Sequence, residues 1–370
     1  MAKDRALPKE LCARATIPGI EDARVWGDEY PSHLKAQLEI PKEELHTRIP
    51  GIVGVEHNYL AISGGGANGA FGAGFLAGWT EKGSRPEFTL VTGISTGALT
   101  APYALLGSAY DHKLEEIFTR YSTEDLVRRR TPFSAVTSSA MLVTRGLEDA
   151  IARAFDQSML EAIAAEWMNK GRSLTIGTTN LYALRPVLWR VQHIAASGHP
   201  NALELVRKIL LASASIPIAF PPVHIEVEVD GERYEEMHVD GGASAQVFLY
   251  PTAVDWRQVM EKLDVKGKPN VYIIRNSRME PNWDLVKPRL LPIALRTVSS
   301  LIRTQGIGDM YRVYLSAQRD GLNFHLVNIP DDFELQPREQ FDPVYMRELY
   351  QLGRNLGRSD DPWQRVPPGF

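Results

Sequence analysis

The sequence predicts an α/β fold in which a mainly parallel sheet carries helices on its faces. Two strand–turn–helix units follow one another closely. The first runs from the apolar strand Asn58–Ile62 through a glycine cluster into a small-residue helix over Phe71–Trp79. The second runs from Phe88–Thr92 through Gly93–Gly97 into a helix over Ala98–Leu106. Strand, turn and helix repeated in this way are typical of parallel strands joined by right-handed crossovers.

The later part of the chain continues the alternation of strands and helices. Asp230-Gly231 separates two alternating segments and predicts a tight hairpin turn. We expect further helices over Leu114–Phe118, Leu147–Phe155, Ala202–Leu211, Leu290–Gln318 and Val344–Asn355. We expect further strands over Leu174–Thr179, Pro186–Ile194, Val223–Val229, Glu232–Val239, Val271–Asn276 and Leu322–Ile329.

No change in composition divides the chain into separate globular units. We therefore expect one α/β domain over residues 56–370, preceded by an N-terminal arm over residues 1–55. The chemistry-bearing motifs fall within residues 58–250, and residues 251–370 add the last strands and helices. The irregular stretch before Leu147 predicts an inserted loop or cap.

Composition excludes several classes of protein. The 41 basic and 45 acidic residues give a net charge of −4, which argues against a general nucleic-acid-binding surface. Cys12 is the only cysteine, so no disulfide framework is possible within the chain. No His, Cys, Asp and Glu cluster has metal-ligand spacing, and we expect neither a metal nor a cofactor.

Two uncharged stretches approach the length of a membrane span, Asn58–Thr80 and Phe88–Tyr110. Gly, Ser, Thr and Asn interrupt both, which indicates buried segments of a soluble core rather than bilayer helices. The N-terminal residues lack the apolar run of a signal peptide. We expect a protein that is soluble as given. Its cellular location stays open because a leader could have been removed, and the sequence does not fix its oligomeric state.

The turn Gly93-Ile-Ser-Thr-Gly97 lies between a predicted strand and a predicted helix. A serine at such a turn is held in a strained conformation that exposes its hydroxyl as a nucleophile. The helix N-terminus places amide N–H groups where an oxyanion would form. The other interpretation is a glycine-bounded turn capped by Ser95.

A glycine cluster, Ser63–Gly74, follows the first strand. The amides of Gly64, Gly65 and Gly66 could converge as an anion-binding nest. The same segment also fits a dinucleotide-binding pattern, but the next strand ends in Gly93 instead of the acid that would hold a ribose. A third interpretation assigns the glycines only to close helix packing.

Asp240 is followed by two glycines at the end of a predicted strand. A carboxylate held in that turn could act as a general base if it reaches the serine hydroxyl and is partly desolvated. The alternative is an ordinary Asp-Gly turn. A Ser–His–Asp triad is also conceivable, with His325, His238 or His193 on predicted strands as its histidine.

In this order, the triple glycine, the Gly-x-Ser-x-Gly turn and the Asp-Gly-Gly turn resemble the patatin-like phospholipase family. The segments Ala212–Pro217 and Phe220–Pro222 extend the resemblance, which covers roughly residues 58–250. It implies a three-layer α/β/α fold and a serine lipid acyl hydrolase, of phospholipase A or esterase type, that forms an acyl-enzyme. By resemblance, Ser95 is the nucleophile and Asp240 its base.

The resemblance also assigns an oxyanion hole to Gly64, Gly65 and Gly66, with the Asn68 side chain as a possible further donor. This chain departs from the family pattern at two positions of the glycine motif, where it has Ser63 instead of Asp and Asn68 instead of a cation. These departures motivate an alternative, a non-catalytic lipid- or protein-binding module on the same fold.

The expected partner is a lipid or ester substrate, with peripheral membrane contact as a further possibility. Arg128, Arg129 and Arg130, beside the segment Thr131–Val136, could dock on an anionic lipid surface. Such a run is otherwise a solvated loop.

Overall fold

The computed structural model describes residues 5–129, 142–281, 283 and 285–369. A large sheet and a separate two-stranded pair, β4 with β5, contain all the described strands. The strands are β1 (Arg24–Trp26), β2 (Asn58–Ile62), β3 (Leu90–Ile94), β4 (Arg128–Arg129), β5 (Leu142–Val143), β6 (Ser173–Asn180), β7 (Arg185–Arg190), β8 (Val223–Val229), β9 (Glu232–Asp240), β10 (Asn270–Arg275) and β11 (Asn323–Asn328).

The large sheet runs in the order β1-β7-β6-β3-β2-β10-β11, and the five consecutive strands from β6 to β11 are parallel. β7 and β9 are both antiparallel to β6, and β8 extends the sheet beside β9. The mainly parallel α/β architecture is as predicted. In such a sheet, the loops that follow the carboxyl ends of the parallel strands meet at one edge, where ligand sites form.

Helices cover both faces of the sheet. The described helices are α1 (Ser32–Glu39), α2 (Lys42–Arg48), α3 (Gly69–Glu81), α4 (Thr96–Leu106), α5 (Asp111–Arg120), α6 (Thr123–Leu126), α7 (Arg145–Ala154), α8 (Gln157–Lys170), α9 (Val191–Ala196), α10 (Ala202–Ser213), α11 (Trp256–Lys262), α12 (Leu290–Asp320) and α13 (Pro343–Arg358).

The side chains of β2 show how the layers are built. Leu60 and Ile62 pack into the main core with residues of α3, α4 and α13. Tyr59 and Ala61 point to the other face, where Met310 of α12 contributes to a second core. Alternate residues of one strand are therefore buried against different helix layers, as expected for a sheet covered on both sides. The three-layer α/β/α arrangement is confirmed.

Helices α3 and α13 meet through their backbones. A Cβ atom at Gly74 or Gly78 would overlap the carbonyl group of Tyr350 or Arg354 on α13. In return, a Cβ at Gly353 would overlap the Phe71 carbonyl oxygen of α3. Glycine is required here because the two helices approach too closely for any side chain between them. The small-residue helix that the sequence predicts thus packs tightly on a helix.

Most predicted elements are confirmed within a few residues of their bounds, but the strand predicted over Pro186–Ile194 is wrong in its second half. β7 ends at Arg190 and α9 begins at Val191, so His193 lies on a helix. The hairpin prediction is confirmed, since Asp230 and Gly231 both have positive φ, at 54° and 85°. The helices over Gln157–Lys170 and Trp256–Lys262 were not predicted.

The first residues of the chain reach the sheet. β1 pairs antiparallel with β7, and α1 and α2 follow it before β2. Arg130 and Thr131–Val136, which belong to the predicted lipid-docking loop, lie outside the described residues. Among the described helices, none combines the length and the hydropathy that a membrane span requires.

Candidate active site

Strand register brings the predicted nucleophile and base together. β3 pairs with β6 up to the pair Ile94–Gly177, where β3 ends. β9 takes over the same stretch of β6 at the next residue, since Asp240 pairs with Thr178. Ser95 and Asp240 therefore lie next to each other along one edge of β6, although they are far apart in sequence. Both are nearly fully buried, with 5% and 2% of their surface exposed.

The backbone at Ser95 is strained, with φ 55° and ψ −125°. Such a conformation costs a non-glycine residue about 1–3 kcal/mol and persists only where surrounding structure imposes it. Here Ser213 imposes it. Its Oγ accepts the Ser95 N–H at 2.9 Å and donates to the Gly177 carbonyl at 2.7 Å. Helix α4 starts at the next residue, as the nucleophile interpretation requires.

The flanking glycines of the turn are needed for close packing. A Cβ at Gly93 would overlap the Gly97 carbonyl oxygen, and a Cβ at Gly97 would overlap the Ile62 carbonyl oxygen of β2. The strand and the following helix can approach this closely only without side chains. The motif is thus a structural requirement of the turn that presents Ser95.

Asp240 is a buried carboxyl group with few partners. The Gly242 N–H donates a hydrogen bond to its Oδ1 at 2.7 Å, and the Ser95 hydroxyl is close enough to affect its ionisation. Burial raises the pKa of Asp240 to about 7, although Ser95 and the Gly242 N–H both lower it. A carboxylate with a proton affinity near neutrality, in contact with a hydroxyl group, can act as a general base.

The glycine loop presents amides beside Ser95, but not all of those expected. The Gly64 N–H donates to the Gln246 carbonyl oxygen at 3.2 Å, so the structure assigns this amide to the loop's own support. Among the described residues, no acceptor is recorded for the N–H groups of Gly65 and Gly66. Gly66 also lines the cavity at Ser95. Of the three predicted glycine amides, these two remain candidates for the oxyanion hole.

Asn68 is held by hydrogen bonds that leave its side-chain –NH₂ as a donor. Its backbone N–H donates to the Gly65 carbonyl at 3.1 Å, and its side-chain oxygen accepts the Tyr345 hydroxyl at 2.8 Å. Tyr345 belongs to α13, so the last helix fixes the orientation of the Asn68 amide. The amide group would then offer only its –NH₂ to a ligand.

Ser63, the first departure from the family pattern, is a brace for the glycine loop. Its Oγ donates to the Gly64 carbonyl at 2.8 Å and accepts the Asn276 N–H at 2.9 Å. The Asn276 side chain donates to the Ser63 carbonyl at 2.9 Å and accepts the Gly72 N–H at 3.0 Å. These bonds tie β2, the loop and α3 to the end of β10. Sequence reasoning missed Asn276; its position at the end of a buried parallel strand was the available signal.

Gln246 is a second residue that sequence reasoning missed. Its side chain lies between two motif glycines: a Cβ at Gly64 would come within 2.8 Å of Oε1, and a Cβ at Gly242 would overlap Nε2. Its backbone N–H donates to Asp309 Oδ2 of α12 at 2.7 Å. Gln246 therefore packs the glycine loop against the turn that holds Asp240.

An apolar cavity of about 90 Å³ opens beside Ser95. Gly66 and Ser95 lie in its wall, and most of the remaining wall is hydrocarbon. Such a surface suits an unbranched apolar chain, because each buried methylene contributes about 0.8 kcal/mol. Side chains that line it include Leu99, Ile117, Leu147, Ile151, Phe220 and Met346.

The three candidate histidines have partners elsewhere. His238 is fully buried. Its Nδ1 lies 3.0 Å from the Thr178 hydroxyl and its Nε2 lies 3.1 Å from the Glu236 carboxylate. His325 Nε2 contacts Asn270 at 3.1 Å, and the His193 ring packs on Trp167 at 4.8 Å between centroids. Within the described residues, none of the three is recorded in a hydrogen bond with Ser95 or Asp240. The described part of the chain also shows no group of His, Cys, Asp and Glu that could hold a metal ion.

Comparison with known protein families shows which family has these motifs. The family model described as patatin-like phospholipase matches residues 60–252, more than half of the chain, from β2 to beyond the Asp240 turn. The chain belongs to the patatin-like phospholipase family. It is thereby a member of a family of lipid hydrolases. The match includes the glycine loop, the Ser95 turn and the Asp240 turn.

Two solved structures resemble the fold more distantly. VipD from Legionella pneumophila is 12% identical with a TM-score of 0.41, over 82% of this chain and 67% of that one. Human GIVD cytosolic phospholipase A2 is 11% identical with a TM-score of 0.32, over 86% of this chain. This chain spans only 56% of that human protein. No curated protein matches the sequence significantly.

Proposed function

We propose that this protein is a serine lipid acyl hydrolase that cleaves a fatty acyl ester through Ser95 and Asp240. The observation that carries the proposal is the placement of Ser95, at the wall of an apolar cavity, beside the buried Asp240 carboxyl group, whose pKa it lowers. A nucleophile, a base of suitable proton affinity and a site for an acyl chain are then adjacent.

In the first half of the reaction, Asp240 accepts the Ser95 proton as Oγ attacks the ester carbonyl carbon. The carbonyl oxygen gains the negative charge, which the Gly65 and Gly66 amides would stabilise by hydrogen bonds. The intermediate collapses with cleavage of the bond between the carbonyl carbon and the alcohol oxygen. The alcohol leaves with the proton held by Asp240, and the acyl group remains on Ser95.

In the second half, water replaces the alcohol. Asp240 takes a proton from the water as its oxygen attacks the acyl carbon, and the same amides hold the second oxyanion. Collapse of this intermediate breaks the bond to Oγ, Ser95 recovers its proton from Asp240, and the fatty acid leaves. One carboxylate therefore serves as base and acid in both halves, without a histidine.

Labelling with a fluorophosphonate tests the assignment of the nucleophile. We expect the wild-type protein to be modified at Ser95, found by mass spectrometry, and to release fatty acid from defined lipids. Ser95→Ala should lose both properties. Ser108→Ala is the matched control, because Ser108 is exposed just beyond the C-terminal end of α4, and it should behave as wild type. Labelling at another residue, or lipid hydrolysis by Ser95→Ala, would contradict the proposal.

A further inference from the structure

The first half of α12 is only partly covered by the rest of the protein. Its buried residues begin only at Gly306, so no residue from Leu290 to Gln305 is buried. This stretch and the loop before it carry large apolar side chains in solvent. The exposed fractions are 84% for Trp283, 80% for Leu285, 88% for Leu290, 50% for Ile293 and 65% for Leu301. Isolated exposed apolar residues are ordinary, but a run of this kind marks an interaction surface.

The apolar side chains share one side of the helix. Leu290 and Leu301 are about three turns apart and therefore face the same direction. Met310, Val313 and Ala317, which pack into the second core, fall on the opposite side of the helix axis. The exposed side is thus separate from the side that α12 uses to hold the fold together.

The segment that carries these side chains is mainly basic. Between Trp283 and Arg303 it contains Lys287, Arg289, Arg296 and Arg303 and a single acidic residue, Asp284, in a chain whose net charge is −4. Lys287 and Arg289 are exposed beside Leu285 and Leu290. Leu and Trp side chains with adjacent cations are the composition of helices that lie in the interface of a bilayer.

We propose that Trp283, Leu285, Lys287, Arg289, Leu290, Ile293 and Leu301, here the α12 surface, dock on an anionic lipid bilayer. The apolar side chains would enter the interface while the two cations contact lipid phosphates. A second copy of the chain is a poorer occupant. Between Leu285 and Leu301 this surface has no acidic side chain that could pair with Lys287 and Arg289 of another copy.

The α12 surface is joined to the active site by the helix itself. One turn beyond Leu301, Gln305 donates its side-chain N–H to the Ser244 carbonyl, just after the Asp240 turn. Asp309 accepts the Gln246 N–H one turn later. Docking would hold the glycine loop and the base near the lipid. The docking itself does not depend on hydrolysis.

Vesicle flotation with the full chain tests the inference, in a Ser95→Ala background so that lipid is not consumed. Vesicles contain either phosphatidylcholine alone or equal parts phosphatidylcholine and phosphatidylglycerol. We expect binding to the anionic vesicles, weakened at least about tenfold by Leu290→Ser with Leu301→Ser. Lys287→Gln and Arg289→Gln should each weaken that binding about fivefold without changing the weaker binding to neutral vesicles.

Met168→Ser is the matched control, because Met168 is 63% exposed on α8 and outside the α12 surface; it should float like its parent. The inference is overturned if the parent protein binds neither vesicle, or if the paired leucine substitution leaves flotation unchanged. It is also overturned if that substitution instead converts a dimer to a monomer in light scattering. Turnover of a soluble ester is measured separately with the protein that retains Ser95. Failure of docking and failure of catalysis are therefore distinguishable.

Discussion

Two buried carboxyl groups on β9 have opposite properties. Glu236 and Asp240 are both shielded from solvent, at 0% and 2% exposure. Burial opposes ionisation of Glu236, but the adjacent Arg24 guanidinium and a hydrogen bond from His238 lower its pKa to about 2. Asp240 has no such cation among the groups that affect it, and burial raises its pKa to about 7.

The difference shows what separates a structural acid from a reactive one on the same strand. Arg24 reaches Glu236 from the N-terminal strand β1, with one of its nitrogens 3.0 Å from Oε1. That pairing fixes the charge of Glu236 at every physiological pH and ties β1 to the sheet. Asp240 receives only hydrogen bonds from neutral donors, so its proton remains exchangeable near pH 7.

The sharpest test of this contrast is activity. Asp240→Asn removes the proton acceptor, and we expect kcat/KM on a soluble nitrophenyl ester to fall about 10²–10⁴-fold. Glu236→Gln should retain kcat/KM within about tenfold of wild type among folded molecules, because Glu236 contacts no reacting atom. Equal losses in the two variants would show that the contrast between them has no catalytic meaning.

The stability of the fold should show the reverse dependence. Glu236→Gln leaves the buried Arg24 guanidinium without a counter-charge. We expect the free energy of unfolding, measured in urea, to fall by about 3–5 kcal/mol. Glu232→Gln, at an exposed position of the same strand, is the control and should change the free energy of unfolding by less than about 0.5 kcal/mol. If Glu236→Gln leaves the free energy of unfolding unchanged, the ion pair does not hold β1 in place.

Asp240→Asn, in contrast, should stabilise the protein at alkaline pH. A pKa of about 7 in the folded protein, above that of a free Asp, means that stability is lost as the pH rises from about 4 to about 7. This ionisation lowers the free energy of unfolding by about 4 kcal/mol. Asp240→Asn cannot ionise, so it should be more stable than wild type by about that amount at pH 8.5 but not at pH 4. Urea unfolding at the two pH values measures this difference. A gain that is independent of pH would contradict the assigned titration.

The pH dependence of catalysis should report Asp240 alone. Since the carboxylate is the active form, kcat/KM should rise about tenfold per pH unit below pH 7 and then level off. The pKa of Glu236, about 2, lies outside the range in which the rate is measured. A rate profile that stays flat between pH 5 and pH 8 would remove Asp240 from the role of base.

Local sequence patterns were sufficient for the central elements of the fold. Asn58–Ile62 and Val223–Val229 have the bounds predicted from their apolar or alternating residues. The prediction failed at Val191–Ile194, because a short apolar run fits a buried strand and a buried helix equally well. Helix α8 was missed although both of its ends carry signals. Asp156 caps its N-terminus, and Gly171 adopts a left-handed conformation after its last residue.

In the candidate active site, too, some residues could be predicted from a local sequence pattern and others could not. Ser95 and Asp240 could be found because close backbone packing places glycines beside them, which leaves a pattern within five residues. The Ser63–Asn276 brace and the Gln246 contact join residues distant in sequence and have no local pattern. The occupied amide of Gly64 was also out of reach, since its acceptor arrives from the loop after β9.

The side-chain-free contact between α3 and α13 has a consequence for how the protein matures. The glycine loop leads directly into α3, yet the surface that clamps α3 is contributed by Gly353 and Gly357, far later in the sequence. During synthesis on the ribosome, Ser95 emerges long before that clamp does. The nascent polypeptide thus carries its nucleophile before the residues that clamp α3 have been made.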